Sequence, residues 1–133
     1  MPPIPPLTQA LLLICTAVFC VDQFVRLEIL FALWPVQSGL FWPWQLVSYG
    51  FLHGSLFHLF FNMLGLWMFG SELERLWGRK RYAQFLLASL LAAALTQLVI
   101  TWLTQSMVPT VGASGALFGL LLAFGMLFPN RVI

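Results

Sequence analysis

The chain has 133 residues, is 61% hydrophobic and only 8% charged, and has a mean hydropathy of +0.94. A soluble domain of this size needs about a quarter of its residues charged to cover its surface, so composition excludes one and points to an integral membrane protein. A formal net charge of +2 is too small for a nucleic-acid footprint, and the length suits one domain, residues 1–133.

Met1-Pro2-Pro3-Ile4-Pro5-Pro6 opens the chain with no basic region and no small-residue cleavage site. The first apolar segment, about Leu7 to Phe24, is therefore expected to be a retained span and not a signal peptide. Its two cysteines, Cys15 and Cys20, would lie about 140° apart on a helix, which speaks against a disulfide or a metal site. Asp22 and Arg26 stand at i and i+4 and are expected to pair at the helix end. The stretch from Glu28 to Leu52 is long for a connection and holds Trp34, Trp42 and Trp44 with Pro35 and Pro43. Tryptophans cluster at membrane interfaces. The stretch reads either as a compact aromatic loop in the outer leaflet or as an ordinary interfacial loop.

Three further apolar segments follow, at about Ser55–Gly70, Tyr82–Trp102 and Ala113–Phe128. Backbone cannot sit unpaired in lipid, so each is expected to be helical. Tyr82–Trp102 would be about 31 Å long, enough to cross a hydrocarbon core of about 30 Å. Ala113–Phe128 would be about 24 Å long. Pro109-Thr110-Val111-Gly112 must then dip into the membrane before the last helix starts, and Ser114 lies below the surface. Arg75, Arg79, Lys80, Arg81 and Arg131 fall on one side of the four segments and Arg26 on the other. Positive charge favours the cytoplasm, so both chain ends are expected there and Ser114 toward the outer face.

Ser114 lies between glycines in Gly112-Ala113-Ser114-Gly115. A neutral hydroxyl is a poor nucleophile without a base and a stabilised oxyanion. Gly112 and Gly115 allow close approach, and the first-turn amides of the last helix are free to meet a developing negative charge. The competing reading is a helix-capping serine with small residues for packing, Gly115 and Gly119 forming a G-x-x-x-G pair. His58 and Asn62, four residues apart, share one helix face and can both donate hydrogen bonds. They read either as oxyanion donors or as hydrogen-bonding glue between helices. His53 falls at the loop-to-helix junction, where Ser55 can cap the helix. Its expected role is structural, tying down the aromatic loop.

Together these residues resemble the rhomboid intramembrane serine proteases. The resemblance rests on His53, His58 and Asn62 in one span and Gly112-Ala113-Ser114-Gly115 two spans later. Trp44-Gln45-Leu46 before Phe51-Leu52-His53, and Gly70-Ser71-Glu72-Leu73-Glu74 before the basic residues, add to it. It covers about residues 40 to 128. It implies an all-α, polytopic transmembrane bundle that cleaves the transmembrane segments of protein substrates near the outer face, without cofactor or metal. Ser114 matches the nucleophile. His58, Asn62 and Gly112 fall at the oxyanion site, joined by the Ser114 amide. His53 and Gly115 are supporting residues, and Phe118 matches an aromatic position beneath the catalytic histidine. Glu28 to Leu52 matches the family's membrane-embedded first loop. The implied location is the plasma (inner) membrane with a cytoplasmic N-terminus.

Two departures stand out. Gln45 occupies a position where some relatives carry arginine. The family core has six spans with its catalytic histidine on the sixth, whereas four are read here and no histidine follows His58. The chain is expected to be an N-terminal portion, the base coming from further spans or a second chain. A non-catalytic rhomboid-like protein that binds membrane-protein clients is the alternative of a different class, and a nucleophile has no chemical purpose there. A small structural subunit is the third.

Overall fold

The computed structural model describes residues 3–130. Arg131, counted above for orientation, and Met1-Pro2 of the proline-rich start lie outside them. Among the described residues the fold is all-α and contains four longer helices, with one isolated β-bridge between Leu33 and Thr110.

Helix α1 spans Pro6–Asp22. Proline suits its first turn, where an N–H would have no partner. The helix stops at Asp22, short of the expected Phe24, so Arg26 is not one turn further along the same helix. Instead of pairing with Arg26, the Asp22 carboxylate accepts the Leu27 N–H at 2.9 Å. Helix α2 spans Leu56–Trp77 and contains a single π-helical turn, Leu66–Gly70. Ser55 caps its start, accepting the His58 N–H at 3.1 Å, as the sequence suggested.

The expected end of this segment at Gly70 is corrected by the structure. Ser71–Trp77 continues the helix, because Glu72, Leu73, Glu74, Arg75 and Leu76 are good helix formers. Gly78 then breaks it, at φ +85°, a conformation that side-chain-bearing residues avoid. Helix α3, Arg79–Thr104, starts at the next residue. Arg75, Arg79, Lys80 and Arg81 thus stand on helix ends and not in a loop. Helix α4, Ser114–Leu127, follows a non-helical approach.

Among the described residues α3 alone is long and apolar enough to cross a membrane by itself. Its apolar window is only 17% buried, the reverse of a soluble core helix. Gln45–Phe51 and Leu56–Trp77 pass the same test only when taken together, bent by 97°, and α1 and α4 are shorter apolar helices.

Two glycines set how closely α3 and α4 approach. A methyl group on Gly115 would collide with Ala93, and one on Gly119 with Ser89. Between helices in lipid there is no hydrophobic gain from leaving water, so such close van der Waals contact is what holds them. Beneath it Leu66, Phe69, Leu73, Tyr82, Leu120 and Phe124 form a buried cluster that joins α2, α3 and α4.

The two ends of the α1–α2 pair are locked by a buried carboxylate. Glu74 accepts the Leu7 N–H at 2.9 Å, the Thr8 N–H at 2.7 Å and the Thr8 hydroxyl at 2.8 Å, and Tyr82 Oη lies 3.2 Å from Thr8 Oγ1. A carboxylate against the first amides of a helix satisfies both its orphan donors and its dipole. Removing it strands buried amides, so Glu74→Ala is expected to cost on the order of 2–3 kcal/mol, with Thr8→Val costing less. Thermal or denaturant unfolding in detergent measures this. An unchanged midpoint for Glu74→Ala would show that the lock carries no stability.

Candidate active site

The approach to α4 cannot bond within a helix, and several of its backbone groups find partners elsewhere in the chain. Leu33 and Thr110 exchange both backbone hydrogen bonds at 2.9 Å. The Gly112 N–H donates to the Tyr49 carbonyl at 2.9 Å, and the Ala113 N–H donates to His53 Nε2 at 3.4 Å. These contacts deliver Ser114 to the first position of α4, where its own amide has no intrahelical acceptor.

On arrival the Ser114 hydroxyl meets α2. It donates to Asn62 Oδ1 at 3.0 Å, and His58 Nε2 lies 3.4 Å from the same oxygen. The roles of the His58 nitrogens follow from its other side. Nδ1 accepts the Gly54 N–H at 3.3 Å, so in the neutral ring Nε2 carries the proton. His58 therefore points a donor, not a base, at the serine oxygen. Asn62 is buried, and its Nδ2 donates to the His58 carbonyl at 2.7 Å. It thus offers the serine its carbonyl oxygen, and its amide must turn before it can donate there.

The remaining expected residues divide. The ring of His53 lies edge-on to His58 with centroids 5.0 Å apart. His53 precedes the helix, at the loop-to-helix junction. His53 was expected to tie down the aromatic loop, and it binds the segment ahead of Ser114. Gly112, at φ +114°, lies against the His58 ring, where a Cβ would stand 2.5 Å from Cε1 and 2.6 Å from Nε2. Its N–H, engaged by Tyr49, is not available as an oxyanion donor, and its contribution is the space it leaves for the ring. Gly115 packs on α3. Phe118 is 71% exposed and shares with Asn62, Ser114 and Leu117 the wall of a groove of about 160 Å³.

Three contributors were missed in the sequence. The Gly54 amide sets the His58 tautomer. Tyr49 holds Gly112 through its carbonyl and donates its hydroxyl to the Leu90 carbonyl at 2.7 Å. Gln45, treated as a minor departure, is fully buried: its Oε1 accepts the Trp34 N–H, and its Nε2 donates to the Leu30 and Leu40 carbonyls. An amide isolated among tryptophans and prolines was the available signal for Gln45. Nothing local marked Tyr49 or Gly54.

The family model for the rhomboid domain matches residues 41–133, more than half of the chain. This chain belongs to the rhomboid family. Rhomboid members are integral membrane proteins. Rhomboid protein 1, mitochondrial, of Saccharomyces cerevisiae is 37% identical over 91 residues, which cover 67% of this chain and 26% of that protein. Rhomboid protease GlpG of Klebsiella pneumoniae is 33% identical over 95 residues, 69% of this chain and 34% of GlpG. Rhomboid protease GluP of Bacillus subtilis is 37% identical over 78 residues, 59% of this chain and 14% of GluP. This rhomboid chain thus spans about a third or less of the length of these relatives.

The geometry makes a spectroscopic prediction. In ¹⁵N NMR, neutral His58 should show a protonated Nε2 and an unprotonated Nδ1. Gly112→Ala should displace the ring, change that pattern and lower the melting temperature. A His58 signal unchanged in Gly112→Ala would mean that the glycine does not hold the ring in place.

Proposed function

We propose that this chain is the nucleophile-bearing part of an intramembrane serine endopeptidase that cleaves protein transmembrane segments near the outer face of the plasma (inner) membrane. The observation that carries the reading is the Ser114 hydroxyl at the head of an apolar helix, 3.4 Å from His58 Nε2 and 3.0 Å from Asn62 Oδ1. Similarity to GlpG and GluP, both rhomboid proteases, supports it.

The mechanism follows from the donors and acceptors. A base takes the Ser114 proton, Oγ attacks the scissile carbonyl, and the carbonyl oxygen becomes an oxyanion. His58 Nε2–H and the Ser114 N–H point where that charge develops, and the Asn62 amide joins after turning from the serine. Collapse expels the amine, which takes the proton back from the base, and water then releases the acyl group by the same route. His58 cannot be the base in the tautomer that Gly54 imposes, and His53 Nε2 is engaged by Ala113. The chain has two histidines in all. The resemblance to rhomboid proteases implies that the base is a histidine of further spans or of a second chain. The bundle crosses the bilayer four times within these residues, α1, α2 and α4 completing their crossings through the bent and non-helical segments that adjoin them.

Activity tests this directly. In the complete protein, Ser114→Ala should abolish cleavage of a fluorogenic transmembrane substrate in liposomes. Asn62→Ala should lower kcat by about 10²-fold with little rise in KM. The 133-residue chain alone should be inactive. Turnover unchanged in Asn62→Ala with a reduced Tm would make that residue structural, and serine-dependent cleavage by the chain alone would overturn the external base.

Topology is tested separately. Single cysteines at Ser38 and Arg79, in a background lacking Cys15 and Cys20, should label from opposite sides of the membrane, with Arg79 cytoplasmic. Labelling from one side would reject the crossing pattern.

A further inference from the structure

Tyr49 is buried where the aromatic loop, α3 and the start of α4 meet, and it does not line the groove beside Ser114. It follows the short helix Gln45–Ser48 and opens a 3-10 turn, Tyr49–Phe51. Its carbonyl accepts the Leu52 N–H at 3.3 Å within that turn and, through its second lone pair, the Gly112 N–H at 2.9 Å. Its hydroxyl donates to the Leu90 carbonyl at 2.7 Å, near the middle of α3. A Cβ on Gly115 would stand 3.5 Å from the same hydroxyl. One residue thus touches the approach to α4, its first turn and the helix that α4 packs on.

The neighbours of Tyr49 stiffen this grip. Its ring packs with Leu33, Leu90 and Ala94 in one buried cluster, and Leu33 is the residue that pairs with Thr110. Gly50 brings the turn against α3, where a Cβ would stand 2.6 Å from Leu90 Cδ1. Leu90 lies inside a helix, so its carbonyl needs no second donor for α3 to form. The phenol supplies one, and with its hydroxyl bonded and its ring packed it has one place to stand. The Gly112 amide is then fixed relative to α3. Gly112 in turn lies against the His58 ring, where a Cβ would stand 2.6 Å from Nε2. The Ser114 amide follows two residues later.

We infer that Tyr49 is a positioning residue for catalysis by Ser114. Its hydroxyl anchors to Leu90, its carbonyl fixes Gly112, and Gly112 sets where the Ser114 amide and the His58 donor stand about the oxyanion. The inference rests on the proteolytic reading. Oxyanion donors act over a narrow range of distance, about 2.7–3.1 Å. A misplacement of about 1 Å costs about 10²-fold in rate. A slack tether therefore shows in turnover and not in substrate binding, because the donors meet full charge only in the transition state.

The test uses the full-length protein in liposomes with a fluorogenic transmembrane substrate. Tyr49→Phe keeps the ring and removes the hydroxyl. It should lower kcat by about tenfold and leave KM within about twofold. Ser48→Ala is the control. The Ser48 hydroxyl also donates at 2.7 Å from the same short segment, but to the Phe31 carbonyl of the loop and not to α3. Its loss should leave kcat within about twofold of wild type, whatever it does to the Tm. Should Tyr49→Phe not fold, Gly50→Ala displaces the same turn from Leu90 and is read in the same way.

Hydrogen exchange gives a readout apart from activity. The Gly112 amide should exchange about tenfold faster in Tyr49→Phe than in wild type, with a smaller change at the Thr110 amide, which Leu33 holds. A wild-type kcat in Tyr49→Phe, an equal loss in Ser48→Ala, a loss confined to KM, or an unchanged Gly112 exchange rate would overturn the inference. If the wild type shows no cleavage that Ser114→Ala abolishes, the proteolytic reading falls instead, and the Gly112 exchange rate still decides whether Tyr49 holds that amide.

Discussion

The peptide groups between α3 and α4 have no helix to bond within, and much of the molecule is arranged around giving them partners. In a membrane protein each such group left bare in hydrocarbon costs several kcal/mol. Leu33 pairs with Thr110, the Tyr49 carbonyl takes the Gly112 N–H, and His53 takes the Ala113 N–H. Gln37 donates through Nε2 to the carbonyls of Thr101 and Ser106, both at 2.9 Å. The aromatic loop is thus the hydrogen-bonding template for the segment that carries Ser114. The loop can act as a template because Gln45, buried at its centre, holds three of its backbone groups in place. Trp34 and Trp44 close it further, their indole N–H groups donating to the Glu28 and Leu30 carbonyls.

The position of Ser114 is a consequence of this template combined with one close helix contact. Gly115 and Gly119 let α4 press against Ala93 and Ser89 of α3, which fixes its rotation. Glycine inside a helix costs up to about 1 kcal/mol relative to alanine, and the close approach offsets that cost. With rotation set by α3 and the start of the helix set by the loop, Ser114 faces α2, where His58 and Asn62 share one face. Gly112 completes the arrangement by leaving room for the imidazole. At the other end of the bundle Glu74 ties the start of α1 to α2, so α2 is anchored at both the site and the opposite end.

The hydrogen bonds around Ser114 also assign direction. Gly54 fixes the His58 proton on Nε2, and the serine proton goes to Asn62. Among the described residues the serine oxygen thus meets one donor, His58 Nε2–H, and one acceptor, Asn62 Oδ1.

Composition and periodicity were enough to determine the all-α class, the approximate helices and the pairing of His58 with Asn62, because these depend on local backbone needs and on a repeat of 3.6 residues. Ser55 as a cap and the close-packing glycines were legible for the same reason. The resemblance to the rhomboid family was carried by short motifs whose spacing survives without neighbours. Other features were decided only in three dimensions. The continuation of α2 to Trp77 was hidden because a charged run reads as a loop until Gly78 is seen to end the helix. The union of Ser114 with His58 and Asn62, the reach of His53 to Ala113, the burial of Gln45 and the tautomer of His58 each join residues from different segments or turn on a single backbone amide. No sequence period encodes such contacts, since they arise when the backbone's demand for partners is met across the fold.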